Sequence, residues 1–124
     1  MPLYTVITQE HGPSDDAKTK IAEEITRIHA TVMKVPRSFV RVVFLSYPPR
    51  SGYAAGMQAP TAALNCVLRS GHAVAEKTDM LQQLWSMFQK LTGVATDQLA
   101  ISLQEIPSSN AMEMGTIMQA VGTE

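Results

Sequence analysis

Pro2 is the residue of this chain with the most chemistry open to it, in the opening Met1-Pro2-Leu3-Tyr4-Thr5-Val6-Ile7. A small residue behind the initiator leads us to expect that Met1 is trimmed. That leaves Pro2 with a free secondary amine at the head of a β-strand. An α-amino group in water has a pKa of about 7.7–8.0. Burial in an apolar pocket lowers it, because desolvation disfavours the charged form. The neutral amine is a general base and the protonated amine a general acid. Met-Pro also serves processing alone, so the case depends on the rest of the chain. Arg41 stands in Val40-Arg41-Val42, and an arginine in so apolar a strand needs a partner. His29 falls on the apolar stripe of a helix, where packing in the core is the plain reading. The single cysteine, Cys66, lies in an apolar run and reads as a buried, reduced thiol.

The elements that must position these groups form a repeat. Leu3 to Thr8 is a run of strand formers, followed by the turn residues His11-Gly12-Pro13-Ser14. Ser14 is a good N-cap, and Ala17, Ile21, Ile25, Ile28 and Val32 recur as one helical stripe. Pro36 ends that region. Phe39 to Leu45 is a second strand, apolar enough to suggest burial on both faces or a subunit contact. A loop, Ser46 to Pro60, follows. The pattern then restarts: a strand Ala63 to Leu68, a turn at Ser70-Gly71, and a helix stripe of Met80, Leu81, Leu84, Phe88 and Leu91 that stops at Gly93. Leu99, Ile101 and Leu103 alternate as a fourth strand.

Aligned by residue type, Leu3 matches Leu64, Val6 matches Val67 and Pro2 falls on Ala63. After a shift of two residues in the turn, Ile21 matches Met80, Ile25 matches Leu84, His29 matches Phe88 and Val40 matches Leu99. The expected class is α/β (α+β): a tandem β-α-β repeat giving a four-stranded mixed sheet with two helices on one face. The pseudo-repeats span about residues 2–47 and 63–107, with a C-terminal tail, in one domain of residues 1–124. The bare pattern also allows a ferredoxin-like layout. Because Ala63 lies inside the chain and has no free amine, a catalytic Pro2 means one site per chain.

Composition narrows the function classes. With 45% hydrophobic and 17% charged residues the chain reads as globular. A net charge of −1 argues against nucleic acid as a partner, which needs a clustered basic face. No apolar stretch is long enough for a membrane span, and no basic segment followed by an apolar run marks a secretory signal. The expected compartment is the cytoplasm.

An amino-terminal proline opening a doubled β-α-β chain resembles the tautomerase superfamily, and more narrowly the cis-3-chloroacrylic acid dehalogenase group and its homologues. The segment Phe44 to Gln58, with Pro48 and Tyr53-Ala54-Ala55-Gly56, is similar to that group's loop between halves. Leu68-Arg69-Ser70-Gly71-His72 falls where the group has a pair of substrate-binding arginines. Glu105-Ile106-Pro107 and Glu113-Met114-Gly115 resemble its carboxy-terminal segment. The resemblance implies a homotrimer that uses no metal or organic cofactor and acts on a small carboxylate. The implied reactions are keto–enol tautomerisation of 2-oxo acids, or addition of water to unsaturated acids.

By that resemblance Pro2 is the proton-transfer group. Arg69 matches the first arginine, and a planar guanidinium suits a carboxylate. His72 stands in place of the second arginine, a departure that weakens or re-aims the grip. His29 matches a histidine that holds substrate or water, and Glu113 an acid that activates water. Ser102 replaces a tyrosine that helps to place water, which disfavours dehalogenation. Arg41 matches an arginine that the short 4-oxalocrotonate tautomerases extend into a neighbouring subunit's site, or else forms an interface ion pair. Tyr53 is expected to line the pocket or to pack as a loop aromatic. Two rival readings are a binding protein like macrophage migration inhibitory factor, which also starts Met-Pro and has two such repeats, and a relic with a dead site.

Overall fold

Local signals set both helices. The Ser14 hydroxyl accepts a hydrogen bond from the Ala17 N–H at 3.1 Å, and Asp15 and Asp16 lie in the first turn, at the positive end of the helix dipole. Helix α1 runs Asp15–Met33 and stops at Lys34, which adopts a left-handed conformation. Helix α2 runs Val74–Thr92 and stops at Gly93, also left-handed, where the missing Cβ makes that backbone cheap. This computed structural model describes residues 2–119; Met1, whose removal the Pro2 chemistry requires, lies outside the described residues.

The strands in chain order are β1 Leu3–Gln9, β2 Arg41–Tyr47, β3 Tyr53–Ala54, β4 Met57–Gln58, β5 Ala62–Arg69, β6 Leu99–Ile106, β7 Met112–Glu113 and β8 Thr116–Ile117. The main sheet has the order β2-β1-β5-β6. Pairing is parallel within each half (β1 with β2, β5 with β6) and antiparallel where β1 meets β5. Each crossover helix thus returns its strand to the neighbouring position, which excludes the ferredoxin-like layout. Both helices cover one face. Tyr4, Val6, Leu64, Cys66 and Leu68 point into that layer against Ile21, Ile25, Ile28, Met80, Leu84 and Phe88, and all are buried. Neither helix is long and apolar enough to cross a membrane.

Within one chain, strand β2 is not buried on both faces, which leaves a subunit contact as the other alternative. It is an edge strand, and only its Val42 and Phe44 side pack against the core. Val43 and Leu45 are 45% and 52% exposed on the face without helices. At β2 that face therefore carries exposed apolar side chains, Val43 and Leu45.

The alignment of the halves is also corrected. Leu3 pairs with Arg41, while Ala63 pairs with Ala100. The counterpart of Leu3 is therefore Ala63, not Leu64, and Pro2 falls on Ala62. Tyr4 falls on Leu64, and both face the helices. A slip of one residue would put every side chain on the wrong face. Type-matching missed this because both faces of these strands are rich in apolar residues. The helix correspondences stand, His29 with Phe88 among them, so the turn differs by one residue rather than two.

The repeat runs further than its sequence suggests. Between β2 and β5, where a loop is expected, β3 and β4 form a hairpin, and β7 and β8 form another beyond β6. Each turns on two residues of positive φ, Ala55-Gly56 and Met114-Gly115. That is the backbone of a type I′ turn, whose twist matches the flanking strands.

Candidate active site

One end of the main sheet gathers residues from both halves. β1 begins there just after the buried Pro2. The Arg41 N–H donates to the Pro2 carbonyl at 3.0 Å, which places Arg41 at the same end. β5 runs the other way and delivers Arg69 there at its last position. After β6 the chain turns through Ser108–Asn110 and lays the β7–β8 hairpin alongside. The result is a cleft of about 600 Å³ lined by Ser38, Phe39, Arg41, Arg69, Glu113 and Met114 with the following hairpin residues.

Its charge pattern suits an organic acid. Two guanidiniums and one carboxylate face a largely apolar wall. Arg69 Nη1 donates to the Gln119 carbonyl at 2.6 Å. Arg41 Nη1 donates to the Ser38 carbonyl at 2.6 Å and the Val40 carbonyl at 3.2 Å. Backbone carbonyls thus anchor both side chains, and a guanidinium has five N–H donors to share. Guanidinium groups and a carboxylate on one cleft wall are the residue types that can hold an anion and polarise a hydroxyl or water.

His29 lies behind this end on α1, 2% exposed. Tyr4 Oη and His29 Nδ1 are 2.6 Å apart, and the rings meet edge to face with centroids at 5.5 Å. Burial holds the His29 imidazole down to about 4, and the charge of His72 pushes the same way. His29 is therefore neutral at physiological pH. Burial pushes the neighbouring Cys66 thiol up to about 12, which makes it unreactive.

His72 lies in the loop between β5 and α2, half-buried and outside the cleft lining. That loop is pinned by Glu105. The Lys77 ammonium donates to Glu105 Oε1 at 2.6 Å. This bond holds the Glu105 carboxyl below its ordinary range; burial opposes it, while the Gly71 backbone and His72 assist.

Two expected site residues lie elsewhere in the chain. Tyr53 is on β3 in the other hairpin, 55% exposed and away from the cleft. Ser102 is on β6, and its hydroxyl donates to Asn65 Oδ1 at 2.7 Å on the open sheet face. Neither joins Arg41, Arg69 and Glu113 within one chain. Sequence reasoning missed Phe39, Met114, Tyr4 and the Lys77–Glu105 pair. Only Tyr4 left a signal: it is a polar-tipped residue in phase with the buried Val6.

The family model described as "Putative oxalocrotonate tautomerase enzyme" matches residues 1–118. No curated protein matches the sequence. Among solved structures, native Ps01740 is 30% identical, with a TM-score of 0.88 over 90% of this chain and 99% of its own. N1, a member of the cis-3-chloroacrylic acid dehalogenase family, is 24% identical, with a TM-score of 0.89 over 97% of this chain and 85% of its own. A fused 4-OT called Q0, solved as a symmetric trimer, is 19% identical, with a TM-score of 0.87 over 98% of this chain and 99% of its own. At such identities the last two show the shared fold alone. Matched over nearly all its length, and folded as these proteins are, the chain belongs to the oxalocrotonate tautomerase family that the model describes.

Proposed function

We propose that this protein is a cofactor-independent tautomerase acting on small 2-oxo or enol carboxylic acids, with hydration of unsaturated acids as a secondary reaction. The observation that carries the reading is the meeting of Arg41, Arg69 and Glu113 in one cleft, at the sheet end where Pro2 starts β1. With Met1 removed, the Pro2 amine takes the proton from the enol oxygen and returns it to the adjacent carbon. No redox partner is required, because the proton is the only atom moved. Arg69 binds the carboxylate, and Arg41 shares in holding the anion. Hydration additionally uses Glu113 to deprotonate water while protonated Pro2 delivers a proton to the α-carbon. His72 in place of a second arginine, and Ser102 in place of a tyrosine, favour tautomerisation over dehalogenation.

The exposed apolar side chains of Val43 and Leu45 on the open sheet face support a homotrimer, the assembly in which the fused 4-OT relative was solved. In such an assembly Ser102 and Tyr53 are free to serve a neighbouring subunit's site.

The test is ketonisation of an aromatic enolpyruvate, followed by ultraviolet absorbance, for the trimmed protein and for Pro2→Ala. General acid–base catalysis contributes roughly 10²–10⁴-fold, so the variant should lose at least about 100-fold. Equal background rates in both would overturn the reading. Faster turnover of cis-3-chloroacrylate than of the enol would overturn the preference for tautomerisation.

A further inference from the structure

Tyr4 and His29 form a buried polar pair for which the fold itself has no need. Tyr4 is 0% exposed and His29 2%. Their structural counterparts in the second half are Leu64 and Phe88, both fully buried and both apolar. The same backbone thus packs well with hydrocarbon at this spot. A buried polar pair is rarely better for stability than an apolar pair of similar volume. Its presence in the half that supplies Pro2, and its absence from the other, points to chemistry rather than packing.

The direction of the hydrogen bond decides what His29 can offer. A tyrosine hydroxyl has one proton to give. Three acceptors lie in reach: His29 Nδ1 at 2.6 Å, Met80 Sδ at 3.4 Å, and the Cys66 sulfur. Thioether and thiol sulfur are weak acceptors, whereas an unprotonated imidazole nitrogen is a strong one. A separation of 2.6 Å also suits an O–H donor better than an N–H donor, whose bonds centre near 2.9–3.0 Å.

We propose that Tyr4 is a positioning residue whose hydroxyl donates to His29 Nδ1, locks the neutral imidazole with its proton on Nε2, and so makes His29 an N–H donor rather than a base. This rests on the reading that the Pro2 end of the sheet is the active site. The consequence is a division of labour. Pro2 moves the proton, and His29 Nε2–H stabilises negative charge developing on the substrate oxygen without competing for that proton.

The chain has three histidines, so ¹⁵N-labelled imidazoles can be assigned by comparing the wild type with His29→Phe. Long-range ¹H–¹⁵N spectra at neutral pH should show His29 with an unprotonated, hydrogen-bonded Nδ1 and a protonated Nε2. Tyr4→Phe, which keeps the ring, should mix the two tautomers and lower kcat for enol ketonisation about tenfold, with KM changed less than about twofold. The double variant Tyr4→Leu/His29→Phe copies the second half. It should fold with an unchanged or higher Tm and lose about 100-fold in kcat. A protonated Nδ1 in the wild type would overturn the proposal. So would a Tyr4→Phe protein whose His29 spectrum and kcat match the wild type. If the wild type fails to turn over the enol, the functional reading fails, and the spectra still decide the tautomer on their own.

Discussion

The two ends of the main sheet share a backbone and differ in almost every reactive side chain. At one end stand Pro2, His29, Arg41, Arg69 and Glu113. The same positions at the other end hold Ala62, Phe88, Ala100, Gln9 and Ala54. Space is not what separates them. The second end has its own cleft, of about 750 Å³, lined in part by Gln9, Ala62 and Phe88. The roomier end therefore lacks these side chains, and it is the side chains, not the cavity size, on which the proposed site rests. The two halves give two equivalent frames, and under the proposed function five side chains distinguish the equipped one.

The sharpest way to break this comparison is to remove one arginine and its counterpart in parallel. Arg69→Ala should reduce kcat/KM for an enol carboxylate roughly 10²–10³-fold, about 3–4 kcal/mol, because a charge-assisted contact is lost. Gln9→Ala should leave it within about twofold. Steady-state kinetics of both variants decides it, and a matching loss in Gln9→Ala would refute a single equipped end.

A second contrast lies in pH dependence. The His29 imidazole titrates near 4 in the folded chain, against about 6.5 when unfolded. Between those values the unfolded chain takes up a proton that the folded chain refuses. Stability from this group is therefore complete above about pH 6.5 and declines as pH falls towards 4. By pH 4.5 the loss is on the order of 2–3 kcal/mol. His29→Phe, which installs the residue of the other half, should flatten that slope. Urea unfolding of both proteins at pH 7.5 and pH 4.5 measures it; parallel losses would assign the acid sensitivity elsewhere.

The smallest effects compare the hairpins. Gly56 and Gly115 both have positive φ, and a Cβ on either would meet no atom within 4 Å. Alanine should then cost about 1 kcal/mol at each, from backbone strain alone. Only Gly115→Ala should alter substrate KM, since its hairpin lines the cleft with Glu113. Equal KM changes in the two variants would detach that hairpin from the site.

Much of this architecture was legible in the sequence. The Ser14 cap, the Ile21–Ile25–Ile28 stripe and the Gly93 stop are local signals, and α1 and α2 follow them. The sheet order was not legible, because the antiparallel seam of β1 with β5 joins residues far apart and has no local marker. The hairpins escaped because their turns use Ala55-Gly56 and Met114-Gly115 in place of the usual Asn-Gly or Asp-Gly. At the site, Pro2, Arg69 and Glu113 could be singled out by type and by family likeness. Tyr4 left only its phase with the buried Val6 as a signal, since its pairing with His29 joins two elements. The placement of Tyr53 and Ser102 away from the cleft follows from strand position, which residue type does not encode.

The seam between β1 and β5 has a consequence for folding. Each β-α-β half closes through one crossover of a few dozen residues, so its contacts are comparatively local. The antiparallel ladder from Leu3–Val67 to Ile7–Ala63 joins residues further apart in the chain than either crossover does. Contacts of that range form late, because their entropy cost precedes their reward. Pro2, His29 and Arg41 belong to the first half, and Arg69, His72 and Glu113 to the second. The proposed site therefore exists in neither half alone. During refolding, helical signal should return before affinity for a carboxylate ligand, and the interval between them times the docking of the two halves.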